Sequence, residues 1–149
     1  MSLSSTRTRV VTVVGAVSGV GNVRARFATD IDRADAEAAL ISGGKVNSWE
    51  FAVQPSALHG GASGMNRIVA RVRGEALYQH AEASDSFNAF VDLLEDVLAA
   101  IIDPVNGFPQ VTEGGVRLLE LTDTPTKTRT GHSCYRARIE FDLSDVDNT

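Results

Sequence analysis

Residues 84–103, with the sequence SDSFNAFVDLLEDVLAAIID, constrain the fold of this chain more than any other stretch. Apolar residues recur there at helical spacing and gather on one face of a helix of about five turns. They are Phe87, Phe90, Val91, Leu94, Val97, Leu98 and Ile101. Ser84 is predicted to be the N-cap, and Pro104 ends the helix because the residue before a proline disfavours the helical conformation. A helix with so wide an apolar face needs a broad partner, which predicts a β-sheet.

Two shorter helices and about five strands are predicted in the rest of the chain. The helices cover about residues 5–17 and residues 32–41. Alternation of apolar and polar residues predicts the strands. They cover residues 23–27, 47–53, 68–78, 116–121 and 135–143. This order predicts an α+β fold of two layers, with one long and two shorter helices packed on a mostly antiparallel sheet.

The remaining segments are predicted to be loops within one domain that spans residues 1–149. Residues 54–66 are rich in Gly, Ser and Ala without periodicity, and residues 122–133 are polar throughout. The first is predicted to be a loop and the second the tip of a long hairpin. Residues 143–149 are predicted to form a frayed tail. The apolar run near the start is short and interrupted, which favours a cytoplasmic protein over a secreted one.

Charge is distributed unevenly along the chain. Residues 1–83 carry nine Lys or Arg against seven Asp or Glu, whereas residues 84–149 carry five against twelve, and the whole chain has a net charge of −5. An acidic chain is a poor candidate for tight nonspecific binding to nucleic acid. The asymmetry would suit copies that meet head to tail through unlike surfaces.

The glycine-rich stretch at residues 13–23 does not match a phosphate-binding motif. A dinucleotide fingerprint that starts at Gly19 requires glycine at position 24, which is Arg24. A P-loop requires Lys and then Ser or Thr after its last glycine, and this stretch has neither. We therefore interpret it as the end of the first helix, with Gly19 near the C-cap, followed by a tight turn. No cofactor-binding residue is predicted.

The histidines and the single cysteine do not form a catalytic motif. His59, His80 and His132 are scattered, and each is expected to be a surface imidazole. Cys134 is the only cysteine, which excludes an intramolecular disulfide and a multi-cysteine metal site. It is expected to lie on the polar face of a strand as an inert thiol. The run from His132 to Cys134 is the main support for an alternative hypothesis of a small enzyme, but neighbours along a strand point to opposite faces. No catalytic residue or metal ligand is predicted.

Arginines recur at every second position on the predicted strands. The candidate subunit-interface residues are Arg67, Arg71, Arg73, Arg136 and Arg138. One interpretation is a solvated sheet face. A second is a face that meets acidic groups of a neighbouring subunit, because Arg forms bidentate pairs with carboxylates. A third is a lumen that passes nucleic acid, which the negative net charge disfavours.

Several segments in a fixed order resemble the tail terminator, or tail-completion, proteins of long-tailed bacteriophages. An N-terminal helix runs into VSGVGNVRARF, and KVNSWEFAVQP follows. After these come the strand RIVARVRGEAL, the helix SFNAFVDLLEDVLAAII and the closing strand CYRARIEFDLS. The resemblance covers most of the chain. It lies in the order of the segments and in their general residue pattern, without a diagnostic catalytic motif. Head-closure and neck proteins of the same particles share much of this pattern and are an alternative.

This resemblance implies a structural protein without enzymatic activity or cofactor. It implies a small α+β domain that assembles into a hexameric ring, caps the finished tail tube and docks it to the filled head. The implied partners are the tube protein and a head-closure or neck protein, with DNA only passing through the lumen and no membrane. The implied location is the tail–neck junction of a virus or a gene transfer agent, after assembly in the host cytoplasm. Residues 54–66 and 122–133 would reach the tube or neighbouring subunits.

Overall fold

The computed structural model describes residues 2–25, 41–60, 66–81, 85–127 and 131–147, without the side chains of residues 57–60, 66–67 and 145–147. These residues form two helices and seven strands. The helices are α1 (Leu3–Gly15) and α2 (Ser86–Ile102). The strands are β1 (Asn22–Arg24), β2 (Ile41–Ser42), β3 (Lys45–Gly60), β4 (Asn66–Gln79), β5 (Arg117–Leu121), β6 (Thr126–Lys127) and β7 (Ser133–Asp147).

One sheet runs through the molecule in the order β1-β3-β4-β7-β5, with β2 paired to β3 and β6 paired to β7. All pairs are antiparallel except β1 with β3, which is parallel. The predicted α+β class is confirmed, but the prediction of about five strands is wrong because the sheet has seven. The two additional strands, β2 and β6, are two residues long, too short to show an alternating pattern. The helix predicted at residues 32–41 lies outside the described residues, apart from Ile41, which begins β2.

The long hairpin of β3 and β4 replaces most of the loop predicted at residues 54–66. β3 continues to Gly60 and pairs with β4 from Asn66 onward, with a register shift between Pro55 and Ala57. Such a shift accommodates a proline, which cannot donate a ladder hydrogen bond. The Ser56 hydroxyl donates to the Val69 carbonyl at 3.0 Å. The prediction was wrong because backbone pairing with β4, and not an alternation of apolar and polar residues within the segment, makes it extended.

The closing strand is also longer than predicted. β7 runs to Asp147, past the predicted end at Leu143, and its last residues pair with the start of β4 at Arg67 and Ile68. The polar segment predicted as a hairpin tip at residues 122–133 contains β6, which pairs with Ser133 and Cys134. Residues 128–130 of that segment lie outside the described part of the chain.

Helix α2 has the predicted apolar face but a different N-cap. Asp85 is the N-cap, and its side chain accepts a hydrogen bond from the Asn88 backbone N–H at 3.4 Å. The predicted cap, Ser84, lies outside the described residues. At the other end the Asp103 carboxylate accepts from the backbone N–H groups of Val105 and Asn106, which lowers the pKa of Asp103.

The C-terminal end of α2 is fastened to α1. The Phe108 N–H donates to the Ile101 carbonyl at 2.8 Å, which folds the chain back under the helix. The Arg9 guanidinium lies 5.6 Å from the centre of the Phe108 ring and donates to the Gly107 carbonyl at 2.7 Å. Arg9 therefore connects α1 to the loop that follows α2 through both a cation–π contact and a hydrogen bond.

Both helices contribute to one hydrophobic core on one face of the sheet. The buried core residues from the strands alternate along β3, β4 and β7; they include Trp49, Phe51, Val53, Ala70, Val72, Ala137, Ile139, Phe141 and Leu143. The helices contribute Val10, Val13, Val14, Phe90, Leu93, Leu94, Val97 and Ile101. The Phe90 ring stacks on Tyr78 at 5.4 Å and on Tyr135 at 6.3 Å between ring centres. Neither helix has the length and apolar content needed to cross a bilayer.

Candidate interaction surface on the sheet

The face of the sheet opposite the core carries a charged array across β4, β7 and β5. Antiparallel register places Arg71 opposite Asp142 and Arg73 opposite Glu140. Arg117 of β5 lies opposite Glu140 on the other side of β7. Because residues that lie opposite each other in a sheet point to the same face, these side chains converge. We call this surface the arginine face; it comprises Arg71, Arg73, Arg117, Arg136 and Arg138 with Glu75, Glu120, Glu140 and Asp142.

Two carboxylates at the centre of the arginine face bind three guanidinium groups. The Arg71 Nε lies 3.0 Å from the Asp142 Oδ1, and the Arg73 Nε lies 3.0 Å from the Glu140 Oε2. The Arg117 Nη2 bridges both acids, at 2.9 Å from Glu140 and 3.4 Å from Asp142. This centre therefore holds three positive charges against two negative ones.

Two looser pairs continue the arginine face toward the other end of β7. The Arg136 Nη2 lies 3.4 Å from the Glu75 Oε1, and the Arg138 Nη1 lies 3.7 Å from the Glu120 Oε2. Pairs at such exposed positions contribute little to stability one by one.

The acids of the central cluster are more covered than the arginines that bind them. The side chains of Glu140 and Asp142 are 13% and 17% exposed. The Arg73 side chain is 53% exposed, and so is the Arg138 side chain at the next pair. Since a guanidinium has five N–H donors and these contacts use only some of them, donors remain directed at solvent. The surface therefore offers hydrogen-bond donors and positive charge to a partner.

The ion pairs shift the pKa values of the central groups. Hydrogen bonds from Arg117 and Arg73 and the charges nearby lower the pKa of Glu140. The hydrogen bond from Arg71 is the largest cause that lowers the pKa of Asp142. The same contact raises the pKa of Arg71. Both acids therefore stay ionised at neutral pH, and the cluster keeps its charge pattern.

Four of the five predicted interface residues lie together on this face, namely Arg71, Arg73, Arg136 and Arg138. The backbone of Arg67 pairs with His59 and Asp147 near the start of β4, and its side chain lies outside the described part. The sequence interpretation expected acids of a neighbouring subunit to meet these arginines, whereas acids of the same chain already bind the four that are described.

Sequence reasoning missed Arg117 and all four acids of the arginine face. Arg117 is the only arginine on its strand, so no period-two stripe marked it. The closing strand did carry a usable signal, because Arg136, Arg138, Glu140 and Asp142 alternate with apolar residues. An alternating strand that carries both signs of charge predicts pairing with a neighbour of the opposite pattern.

His80 lies in a hydrogen-bonded cluster instead of on the open surface, which corrects the expectation of a surface imidazole. Its Nδ1 lies 2.8 Å from the Tyr135 hydroxyl. The buried Ser86 hydroxyl donates to the same Tyr135 oxygen at 3.3 Å and accepts from the Ala81 N–H at 3.1 Å. The cluster joins the end of β4 to the first turn of α2 and to β7.

Cys134 lies on the face opposite the main core, as predicted, but it is buried. It contacts Val46 in a small second cluster with Ile41 and Leu77 around it. Burial raises the pKa of the Cys134 thiol to about 11. At neutral pH the group is therefore almost entirely a thiol, which is the unreactive form.

The glycines after α1 shape a turn against β3. The helix ends at Gly15 with Ala16 as C-cap, so Gly19, which was predicted near the C-cap, lies three residues beyond it. Gly19 has a φ of +93°, and its carbonyl accepts from the Asn47 side-chain amide at 2.8 Å. Gly21 lies so close to Asn47 that a Cβ there would collide with it. These glycines therefore serve conformation and close approach.

The described residues contain no group of three or more His, Cys, Asp or Glu side chains that could hold a metal ion. No protein-family model and no curated protein sequence matches this chain significantly.

Proposed function

We propose that this chain is a structural virion protein, the tail terminator of a long-tailed bacteriophage or related particle. Six copies would form a ring that caps the finished tail tube and docks it to the neck beneath the head. In this role the protein has no enzymatic activity and needs no cofactor. Its partners are copies of itself, the tube protein and a head-closure protein, while DNA only passes through the lumen.

The arginine face is the observation that carries this proposal. A ring of identical subunits uses heterologous interfaces, in which one surface of each copy fits a different surface of the next. The arginine face presents exposed guanidinium groups above covered carboxylates. Asp92, Glu95 and Asp96 are exposed on helix α2, on the other side of the sheet, so another copy has acidic groups for this face to meet. Complementary charge guides orientation and encounter more than it adds affinity.

The long strands support an assembly role as well. β3, β4 and β7 have 16, 14 and 15 residues, whereas an average strand has about 5–6. β1 pairs with β3 only at Ser48–Glu50. The β3–β4 hairpin continues ten residues further along β3, to Gly60. In the proposed two-layer arrangement the two described helices cover one face, and the exposed arginines of β4 and β7 on the other face would meet neighbouring subunits.

Deletion of the gene in the strain that produces the particle tests the proposal. Because a terminator stops tube growth and joins the tail, we expect electron micrographs with tails of abnormal length and unattached, filled heads. Re-expression of the wild-type chain should restore joined particles of uniform tail length. Tails of normal length beside emptied heads would identify a head-closure protein instead, and normal particles would contradict both roles.

A further inference from the structure

Strand β5 is an edge of the sheet with an exposed apolar surface. It pairs with β7 on one side, and no described residue pairs with its other side. An open edge presents backbone N–H and C=O groups that can accept another strand. Leu118 and Leu119 on this strand are 48% and 55% exposed. The edge therefore combines open backbone groups with apolar side chains.

A bulge arranges the side chains of β5 in an unusual way. The register shifts between Leu118, which pairs with Ile139, and Glu120, which pairs with Arg138. Because of this extra residue, Arg117 and Glu120 both lie on the arginine face although they are three positions apart. The two leucines between them occupy the bulge and are both about half exposed.

We propose that β5 binds the β5 strand of a second copy of this chain in antiparallel orientation. Arg117 of each copy would lie opposite Glu120 of the other, and Leu118 of each would lie opposite Leu119 of the other. The sequence from Arg117 to Glu120 is Arg-Leu-Leu-Glu, which is complementary to itself when it is read in the opposite direction. Opposite charges and apolar pairs directly across two strands both stabilise the pairing.

Neighbouring registers lack this complementarity. Moving the pairing by one residue in one direction places Arg117 opposite Leu119, and moving it in the other places Leu118 opposite Glu120. Either shift sets a charged side chain against a leucine. Only the proposed register pairs each charge with its opposite and each leucine with a leucine, which is the reason for choosing a second copy as the partner.

This contact has two-fold symmetry and closes on itself, so it produces a dimer and not a ring. It is independent of the proposed function, whose ring requires a different, heterologous contact. Because the pairing involves a short strand, its interface falls in the weak, transient size class. We therefore expect reversible dimers that form as the protein concentration rises.

Analytical ultracentrifugation of the purified chain over a concentration series tests the contact. The wild-type chain should shift from monomer to dimer, and Leu119→Lys should raise the dissociation constant by about tenfold or more because edge lysines block strand pairing. Val105→Lys is the matched control, since Val105 is an exposed apolar residue outside β5 and should leave the dissociation constant unchanged. A monomeric wild type at about 1 mM, or equal effects of both variants, would overturn the proposal.

Disulfide trapping tests the register. Leu118→Cys and Leu119→Cys are prepared separately, checked for folding by circular dichroism, mixed in equal amounts and oxidised. The proposed register predicts that the disulfide between the two variants exceeds the disulfide within either one by several-fold. Excess of either homodisulfide, or no disulfide above that of the wild type with its Cys134, would overturn the register.

Discussion

The ring of Phe51 lies directly over Gly74 of the neighbouring strand. The two residues are opposite each other in the β3–β4 register, and a Cβ at residue 74 would lie 2.6 Å from the Phe51 Cε1. On the other side it would lie 2.9 Å from the Ile139 Cγ1. A glycine usually weakens a strand interior, but an aromatic ring packed across it restores the buried contact.

Gly74→Ala should destabilise the fold by about 1–3 kcal/mol, because the added methyl group overpacks the site between Phe51 and Ile139. Urea titration followed by circular dichroism measures the change. Gly15→Ala is the control, since a Cβ there meets nothing within 4 Å. An unchanged urea midpoint for Gly74→Ala would contradict the close packing of Phe51 and Ile139 against Gly74.

Leu94→Ala should lower the free energy of unfolding by about 2–5 kcal/mol, because it leaves a cavity in the core. Leu94 is buried against the sheet, near Trp49 and Ile139. Asp96→Ala on the exposed side of α2 should change stability by less than about 0.5 kcal/mol. If the two variants were equally stable, the packing of α2 on the sheet would be contradicted.

Arg73→Gln combined with Arg138→Gln should impair particle assembly while the isolated chain stays folded. These two side chains are the most exposed on the arginine face, so their removal alters the surface more than the interior. The variant is tested by complementing the deletion strain and counting joined particles by electron microscopy. Lys45→Gln with Lys127→Gln removes the same charge from exposed positions elsewhere and is the control. Equal particle yields would exclude the arginine face as an interface.

Reversal of Arg71 and Arg73 to Glu should destabilise the monomer itself. One interpretation of the sequence was that these residues meet acidic groups of a neighbouring subunit. The structure places Glu140 and Asp142 beside them, so the reversal would gather four carboxylates at the centre of the face. Urea titration should show a lower midpoint than for Arg71→Gln with Arg73→Gln, and a higher or equal midpoint would contradict the described pairing.

Stability should fall as pH drops below about 4, the ordinary range of Asp and Glu. The pKa values of Glu140 and Asp142 are lowered in the folded chain, so the unfolded chain binds protons first. Their contribution is complete above the unfolded pKa and disappears as pH falls through the folded pKa. Arg117→Gln should reduce the loss of stability at acid pH, because the hydrogen bond from Arg117 is the largest cause that lowers the pKa of Glu140. Urea midpoints measured between pH 7 and pH 2 give the comparison, and parallel curves would contradict the assignment.

The sequence by itself determined the elements whose pattern is local. The apolar face of α2 and the alternating cores of β3, β4 and β7 could be read directly, because periods of 3.6 and 2 follow from the backbone geometry of a single segment. The same alternation placed Arg71, Arg73, Arg136 and Arg138 on the faces of their strands opposite the core. It also located Cys134 on the face opposite the core.

Only the tertiary structure decided which strands are neighbours and in which register. The register with β4 extends β3 through residues 54–60, a segment without an alternating pattern. The register with β7 brings Arg117 beside Glu140. It also gives the arginines acids of their own chain as partners and buries Cys134 beside Val46. The physical reason is that strand pairing joins residues of different segments, so the periodicity of one segment alone does not specify its partner or its register.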